Sequence, residues 1–302
     1  MYDGIINVYK EPGFTSFDVC AKLRGILHQK KIGHTGTLDP MATGVLPVCL
    51  GKATKLAGLL TDKDKEYRAV MRFGIATDTE DITGEVISSV SEEEVYKLSD
   101  EMINEAIRSF IGSYDQLPPM YSAIKKDGKK LYEYARAGIA VEREKRPVTI
   151  HTISDVRIDL PNVSFDVHCS KGTYIRSLVR DIGEKMGVPA TLEALTRSRV
   201  KDFHLSEAKK LSEIEDALRE GSLDSLILPT DALLTEYKKI TVLESGTKLL
   251  QNGNKLPEDL ISSQEGNYVN EQIYRVYMKD TFTALYMYHE SEKSFHPYKM
   301  FL

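Results

Sequence analysis

The sequence predicts an α+β fold with a largely antiparallel sheet flanked by helices, followed by a small β-rich domain. Long segments of strand type mix irregularly with segments of helix type, and regular β-α-β spacing is absent. From about Lys238 the segments become short and strand-like, with turns containing Gly and Asn between them. The chain of 302 residues is long enough for both units. We therefore expect a large domain over residues 1–235 and a small one over residues 236–302.

The first elements follow from periodicity and from local capping and turn signals. Glu11-Pro12-Gly13 is a turn signal, and Thr15-Ser16-Phe17-Asp18 offers a capping box at the start of an amphipathic segment. In chain order we predict a strand over residues 4–9, a helix over 16–29, a loop over 33–44, a buried strand over 45–50 and a helix over 52–60.

The later elements show the same two periodicities. Apolar and polar residues alternate over 66–73 and over 163–169, which predicts two strands with one buried face each. Ser99 can cap a helix that continues through Phe110, and Gly172 separates the second strand from another helix. In that last helix the apolar residues predicted to face inward are Ile175, Leu178, Val179, Ile182 and Met186. Short strands over 272–277 and 283–288 complete the prediction.

Composition favours a cytoplasmic protein with no membrane segment. Hydrophobic residues make up 41% and charged residues 28%, as in a globular domain with a real core. The N-terminus lacks the pattern of a secretory signal, and no apolar run is long enough to span a bilayer. Cys20, Cys49 and Cys169 are scattered and odd in number, which argues against a disulfide framework or a zinc site. We expect them to be small buried apolar residues.

The net charge of −5 argues against a nucleic-acid partner, but the charge is unevenly distributed. Residues 19–38 hold four bases and no acid, residues 125–146 hold eight bases and four acids, and residues 171–201 hold seven bases and three acids. Acids collect instead over 78–105 and 213–224. If the basic stretches converge in the fold, they form a surface suited to a polyanion. Ordinary solvated faces account for the charges equally well.

The most unusual segment is the loop over residues 31–44, which combines three glycines, three threonines, a histidine and one acid, Asp39. It lacks the Gly-Lys-Ser/Thr ending of a phosphate-binding loop. A lone Asp before Pro40 more often caps its own backbone than performs catalysis. Taken singly, Arg176 fits a surface ion pair, and Tyr67 and Tyr174 fit partly buried packing.

Several motifs, taken together and in order, change this balance. They are Asn7 to Ser16, Gly33 to Pro47, Lys65-Glu66-Tyr67, Gln116 to Ala123, Cys169 to Leu178 and Leu195-Thr196-Arg197. In this order they resemble the motifs of the TruB family of tRNA pseudouridine synthases, over about residues 4 to 210. The resemblance implies a pseudouridine-synthase-type fold with a PUA-like RNA-binding C-terminal domain.

The resemblance also implies roles for individual residues. Asp39 is the expected catalytic carboxylate, and Arg176 is expected beside it, where it would lower the aspartate pKa and fix its rotamer. Tyr67 is expected to stack on the uracil, with its hydroxyl available to assist loss of the C5 proton. Residues 124–150 are expected to form a thumb that folds over the RNA. The remaining substrate-binding residues implied are Lys10, His34, Tyr174, which would position Arg176, and Leu195, which would form an apolar wall.

The implied reaction breaks the bond from ribose C1′ to uracil N1 and forms one from C1′ to C5, so no cofactor or metal is required. Asp39 could attack C1′ or remove the C2′ proton, and both routes stay open. The implied substrate is the uridine at position 55 in the T loop of tRNA, flipped out of the folded loop. We expect a monomer. Open alternatives are a non-catalytic RNA-binding or RNA-folding protein and a uridine isomerase acting on another RNA. A hydrolase is disfavoured, because no second acid accompanies Asp39.

Overall fold

The structure is a computed structural model that describes residues 1–262 and 267–302, so four residues of the predicted C-terminal domain lie outside it. The strands of the first sheet and its hairpins are β1 (Gly4–Lys10), β2 (Ile32–His34), β3 (Thr43–Leu50), β4 (Lys65–Phe73), β5 (Ile75–Thr77), β6 (Val86–Ser89), β7 (Gly112–Gln116), β8 (Lys125–Lys126), β9 (Lys129–Lys130), β10 (Arg146–Asp159), β11 (Asn162–Cys169), β12 (Ala190–Val200), β13 (Phe203–His204) and β14 (Ile227–Leu228). Those of the second sheet are β15 (Lys238–Val242), β16 (Leu256–Pro257), β17 (Ile261–Ser262), β18 (Ile273–Met278), β19 (Thr281–His289) and β20 (Ser294–Met300). The α-helices are α1 (Ser16–Ile26), α2 (Ala57–Thr61), α3 (Glu92–Tyr96), α4 (Asp100–Arg108), α5 (Leu131–Arg136), α6 (Ile175–Met186), α7 (Leu211–Arg219) and α8 (Thr247–Gln251).

Two sheets organise the chain. The larger has ten strands in the order β14-β1-β3-β12-β4-β11-β10-β7, with β13 paired to β12 and β2 paired to β3. Among the described strands of this sheet, β3 and β12 form the one parallel pair. The smaller sheet has six strands in the order β16-β20-β19-β18-β15-β17. The predicted α+β architecture, with a largely antiparallel sheet and a strand-rich C-terminal part, is confirmed.

Most local predictions are also confirmed. The capping box forms at α1, where Thr15 accepts from the backbone of Asp18 and the Asp18 side chain accepts from the backbone of Thr15. Ser99 caps α4. The predicted inward residues of β4, β11 and α6 are buried, except that Met186 is only partly buried. The three cysteines are free and buried, as predicted.

Two helix predictions are wrong in their extent. Helix α1 ends at Ile26 rather than at Gln29, because His28 has a positive φ of 47° and the chain turns away. The Gln29 side chain then accepts from the Tyr2 backbone N–H at 2.7 Å and donates to the Tyr2 carbonyl at 2.9 Å. The segment predicted as one helix over 52–60 is a 3₁₀ helix (Gly51–Leu56) followed by α2.

Apolar cores hold the layers together. Helices α4 and α6 cover one face of the sheet around Met71, Phe165 and Leu178. Helices α1 and α7 cover the region of β1 and β3. The third core joins the two sheets, because Leu285 and Phe301 of the C-terminal part pack with residues such as Leu233 of the first part. Within the described residues, no helix combines the length and apolar character needed to cross a membrane.

Candidate active site

Asp39 lies in the loop between β2 and β3, near the centre of the larger sheet. The buried Ser16 side chain, at the start of α1, accepts from the Leu38 backbone N–H at 2.9 Å and donates to the Leu38 carbonyl at 3.3 Å. Thr35 donates to the Pro47 carbonyl from its backbone and its side chain. The predicted loop over 33–44 is therefore shorter than expected, since its ends belong to β2 and β3.

Lys10 supports the Asp39 loop by hydrogen bonds to backbone carbonyls of that loop. Its side chain is fully buried, and Nζ donates to the carbonyls of Ala42 at 2.6 Å, Pro40 at 2.8 Å and Glu11 at 3.1 Å. These contacts occupy all three ammonium donors. Burial lowers the pKa of Lys10 to about 8, although the nearby Asp39 charge opposes the shift. These contacts support a positioning role for Lys10, and its expected contact with the substrate stays a prediction.

Arg197 anchors the same loop from β12, a role that sequence analysis missed. Its buried guanidinium donates to the carbonyls of Val45 at 2.7 Å and Gly36 at 3.2 Å. The two backbones also approach closely at Gly44, where φ is +103° and an added Cβ would lie 2.2 Å from the Arg197 carbonyl oxygen. Only glycine fits there. The signal was the motif Leu195-Thr196-Arg197, whose last residue was quoted without a role.

Arg176, the second residue of α6, pairs with Asp39 through two nitrogens. Nη2 donates to Asp39 Oδ1 at 3.1 Å, and Nε lies 2.9 Å from Oδ2 without the alignment of a hydrogen bond. Arg176 also donates to the carbonyls of Thr79 at 3.0 Å and Tyr121 at 2.9 Å. The Arg176 side chain is 5% exposed and that of Asp39 is 38% exposed. The carboxylate thus faces an opening while a fixed cation holds it.

The start of the acidic stretch over 78–105 also belongs to this site. The Asp81 carboxylate lies 3.7 Å from Arg176 Nη1. Beside it, Glu80 accepts from Ser177 Oγ at 2.6 Å and pairs with Arg180, so both residues tie this loop to α6. These contacts were not predicted from the sequence, because a count of charges alone gives the segment no role.

Arg176 acts to lower the pKa of Asp39, as expected, but the net shift is upward from the ordinary value. Removal from water is the largest cause, and the Arg176 charge opposes it. The neighbouring Asp81 charge adds to the upward shift. An arginine beside a carboxylate is therefore not enough to predict whether the carboxylate pKa rises or falls. The surrounding protein also matters, because it determines how much free energy is lost when the charged carboxylate is removed from water.

Tyr67 and Leu195 lie on neighbouring strands close to Asp39. Both belong to the apolar core that also includes Leu38, the residue before Asp39. Tyr67 is 8% exposed, and burial raises its pKa to about 12 while the nearby Arg197 charge opposes the shift. Its hydroxyl is therefore neutral at physiological pH. Leu195 is half-buried at the edge of this core.

Tyr174 is held by its backbone at the start of α6. The buried Gln116 side chain accepts from the Tyr174 N–H at 2.8 Å and donates to its carbonyl at 3.0 Å. Burial raises the pKa of Tyr174, and the neighbouring Ser122 side chain opposes that shift. Gln116 is a second positioning residue that sequence analysis quoted within a motif but did not select.

His34 lies at the end of β2, half-buried, and its Nδ1 accepts from the Gly36 N–H at 3.3 Å. Burial lowers its pKa, and the Arg197 charge adds to that effect. The neutral imidazole suits stacking better than phosphate binding. A base-stacking role for His34 stays a prediction.

The predicted thumb over 124–150 contains the hairpin β8–β9 and helix α5, but its last residues, 146–150, belong to β10 and pair with β7. Its tip carries exposed bases such as Lys129 and Arg136, and the Arg136 guanidinium lies over the Tyr132 ring at 5.3 Å. Arg143 ties the segment to the body by donating to the Pro118 carbonyl at 2.9 Å.

In the basic stretch over 171–201, four of the bases make contacts within the protein rather than forming a free basic surface, while Lys171 and Lys185 are exposed. Arg176 and Arg180 bind carboxylates beside the site, and Arg197 binds loop carbonyls. Arg199 pairs with Glu66 across the sheet. These charges organise the protein and are not free to bind a polyanion.

Comparisons with known proteins point to one family. A model of the TruB family pseudouridylate synthase N-terminal domain matches residues 24–175, and a model of the tRNA pseudouridylate synthase B C-terminal domain matches residues 176–235. A tRNA pseudouridine synthase B of Lachnoclostridium phytofermentans is 49% identical, over 99% of this chain and 100% of the relative. Its counterpart in Bacillus pumilus is 41% identical, over 97% of this chain and 96% of the relative.

Solved structures give the same result at greater distance. An H/ACA RNP bound to a substrate RNA containing 2′-deoxyuridine has a TM-score of 0.73 and 25% identity, covering 99% of this chain and 85% of that chain. A Cbf5-Nop10-Gar1 complex gives a TM-score of 0.73 and 26% identity, with the same coverage. The similarity therefore extends over both sheets.

Proposed function

Because the chain belongs to the TruB family of pseudouridylate synthases, we propose that its substrate is the uridine at position 55 in the T loop of tRNA. The protein is a pseudouridine synthase with the mixed α+β fold of these enzymes, and its strand-rich C-terminal part is consistent with a PUA-like domain. It isomerises uridine in tRNA, the substrate in the names of its relatives. Our proposal adds that this uridine lies in the T loop and that the protein is a tRNA pseudouridine-55 synthase.

Asp39 is the proposed catalytic carboxylate. The reaction detaches uracil from C1′ and rejoins it through C5, and both open routes begin with an ionised carboxylate at the sugar. Arg176 supplies a fixed counter-charge that holds Asp39 in one rotamer, and Lys10 and Arg197 fix the loop that carries it. Such preorganisation lowers the barrier, because little movement is needed to reach the reactive geometry.

Tyr67 and Leu195 are proposed to enclose the detached base. Uracil must turn from N1 to C5 without leaving the pocket, so the walls have to be flat and apolar rather than strongly hydrogen-bonding. The Tyr67 ring offers a stacking face, and stacking of a base on an aromatic ring is worth about 1–3 kcal/mol. With a pKa of about 12, the Tyr67 hydroxyl can take up the C5 proton only in concert with another group. Tyr174 closes the pocket beside Arg176.

RNA binding is proposed to use three separate parts of the chain. The thumb, now residues 124–145, presents exposed lysines and arginines for phosphate contacts. His34 stacks on a neighbouring base in the opened loop. We propose that residues 1–235 form the catalytic domain. The domain over 236–302 contributes further RNA contacts outside the T loop. We propose that the protein acts as a monomer in the cytoplasm and needs no cofactor or metal for this reaction.

The observation that carries this proposal is the Asp39–Arg176 pair beside the apolar cluster that contains Leu38 and Tyr67. The test is incubation with an unmodified tRNA transcript, followed by mapping of pseudouridine at single-nucleotide resolution. We expect one modified site, in the T loop, and none in a transcript whose T-loop uridine is replaced by cytidine. Pseudouridine at another position only, or in ribosomal RNA only, would contradict the substrate assignment while leaving the chemistry in place.

A further inference from the structure

On the face of the larger sheet opposite the core residues Ile150 and Val167, three metal-ligating side chains converge. They are Asp64, in the loop before β4, His151 on β10 and His168 on β11. One ligand atom from each lies within 4.8 Å of the others, and among the residues the structure describes this is the one such group. His151 Nε2 is 3.1 Å from Asp64 Oδ2, and His168 Nε2 is 4.0 Å from the same oxygen.

An irregularity in the sheet brings the two imidazoles together. The register of β10 against β11 shifts between Ile150 and Thr152. His151 is therefore the extra residue of a β-bulge in β10, with no partner of its own in β11. Both His151 and Thr152 consequently face the exposed side, while Ile150 and Ile153 stay buried. The rings of His151 and His168 then lie 4.7 Å apart on that exposed side.

We propose that Asp64, His151 and His168 form a binding site for a divalent transition-metal ion such as Zn²⁺. Two imidazoles and one carboxylate are a donor set that Zn²⁺ accepts, with water in the remaining position. Tetrahedral zinc needs ligand atoms about 3.3 Å apart, given metal–ligand bonds of about 2.0–2.1 Å. The His151–Asp64 separation of 3.1 Å is close to that, His168 lies farther from Asp64 at 4.0 Å, and all three side chains are exposed enough to rotate.

The bound ion would connect three segments of the chain. Asp64 lies three residues before Tyr67, and the two histidines lie on the adjacent strands β10 and β11. A metal therefore ties the start of β4 to the sheet next to it and stabilises the folded state. Mg²⁺ is not expected to bind, because it prefers oxygen ligands and imidazole suits softer ions.

The test measures Zn²⁺ binding to the full-length, untagged protein by equilibrium dialysis in neutral to mildly alkaline buffer. We expect one ion per chain with a Kd below about 100 μM, and a shift of two imidazole Nε2 signals among the seven histidines in a nitrogen-15 NMR spectrum. The double variant His151→Ala/His168→Ala and the single variant Asp64→Asn should each bind at least about tenfold more weakly.

The matched control is a second pair of adjacent histidines, His289 and His296, whose rings lie 4.4 Å apart on β19 and β20. The variant His289→Ala/His296→Ala should bind Zn²⁺ like the unaltered protein. Absence of binding by the unaltered protein would overturn the proposal. So would unchanged affinity of both site variants, or loss of binding in the control variant, which would place the ion elsewhere. Tritium release from tRNA is measured separately, and its outcome does not bear on this site.

Discussion

Replacing Arg176 with Lys keeps the positive charge beside Asp39 but removes the geometry that fixes it. The guanidinium contacts both oxygens of Asp39 and, through other donors, the carbonyls of Thr79 and Tyr121. One ammonium group on a shorter reach cannot contact all of these acceptors. We expect unpaired buried carbonyls to destabilise the fold by about 1–3 kcal/mol. Misplacing the carboxylate by about 1 Å should slow the chemical step by about 10²-fold or more.

The same substitution should change the pH dependence in a defined direction. Asp39 acts when ionised, so activity is lost as the pH falls through its pKa. Arg176 opposes the upward shift that burial imposes, and a weaker contact raises the pKa of Asp39 further. The acid limb of the rate should therefore move to higher pH in the Arg176→Lys variant.

The assay is single-turnover release of tritium from a tRNA transcript labelled at uridine C5, with tRNA affinity measured separately by filter binding. Arg219→Lys is the control, because Arg219 is exposed on α7 and pairs only at the surface with Asp216. It should leave the rate and the pH profile unchanged. A rate for Arg176→Lys within about threefold of the unaltered enzyme, with the same acid limb, would refute the assigned role of this pair.

Two further substitutions test the loop anchors. Lys10→Met leaves three carbonyls without their donor. Urea denaturation should show that the free energy of unfolding falls by about 2–4 kcal/mol, while tRNA affinity is unchanged. A loss of tRNA affinity without a loss of stability would indicate that Lys10 contacts the RNA directly. Gly44→Ala places a Cβ against the Arg197 carbonyl at a positive φ, and it should lower the free energy of unfolding by about 2–4 kcal/mol. In the control variant Gly25→Ala, in α1, the added Cβ meets nothing within 4 Å, so stability should be unchanged or slightly higher. Equal stability of the two glycine variants would contradict the close approach of β3 and β12.

Local chemistry accounts for the parts of the fold that could be predicted from the sequence. The alternation in β4 and β11, the caps at Thr15 and Ser99 and the apolar face of α6 depend on residues within a few positions of each other. Helix α1 was predicted too long, because the chain leaves the helix before His28 and Gln29 bonds instead to Tyr2, 27 residues away. Such distant contacts leave no periodic signal in the sequence.

The candidate site divides in the same way. Asp39, Tyr67 and Arg176 could be selected because they lie in recognisable motifs. The partners that hold them, such as Arg197 and Gln116, lie in quoted motifs as well but were given no role, because a buried side chain bonded to backbone groups looks like any polar residue in a sequence. The direction of the Asp39 pKa shift could not be predicted either, since desolvation depends on every element around the carboxylate.

The most direct test of the central claim is tritium release by the Asp39→Asn variant on unmodified tRNA, with exposed Asp224→Asn as its control. Asparagine keeps the size of the side chain but can neither attack C1′ nor accept the C2′ proton. We predict that Asp39→Asn binds tRNA within about threefold of the unaltered protein and forms no pseudouridine, while Asp224→Asn is fully active. Formation of pseudouridine by Asp39→Asn at the unaltered rate would contradict the assignment of Asp39 as the catalytic carboxylate.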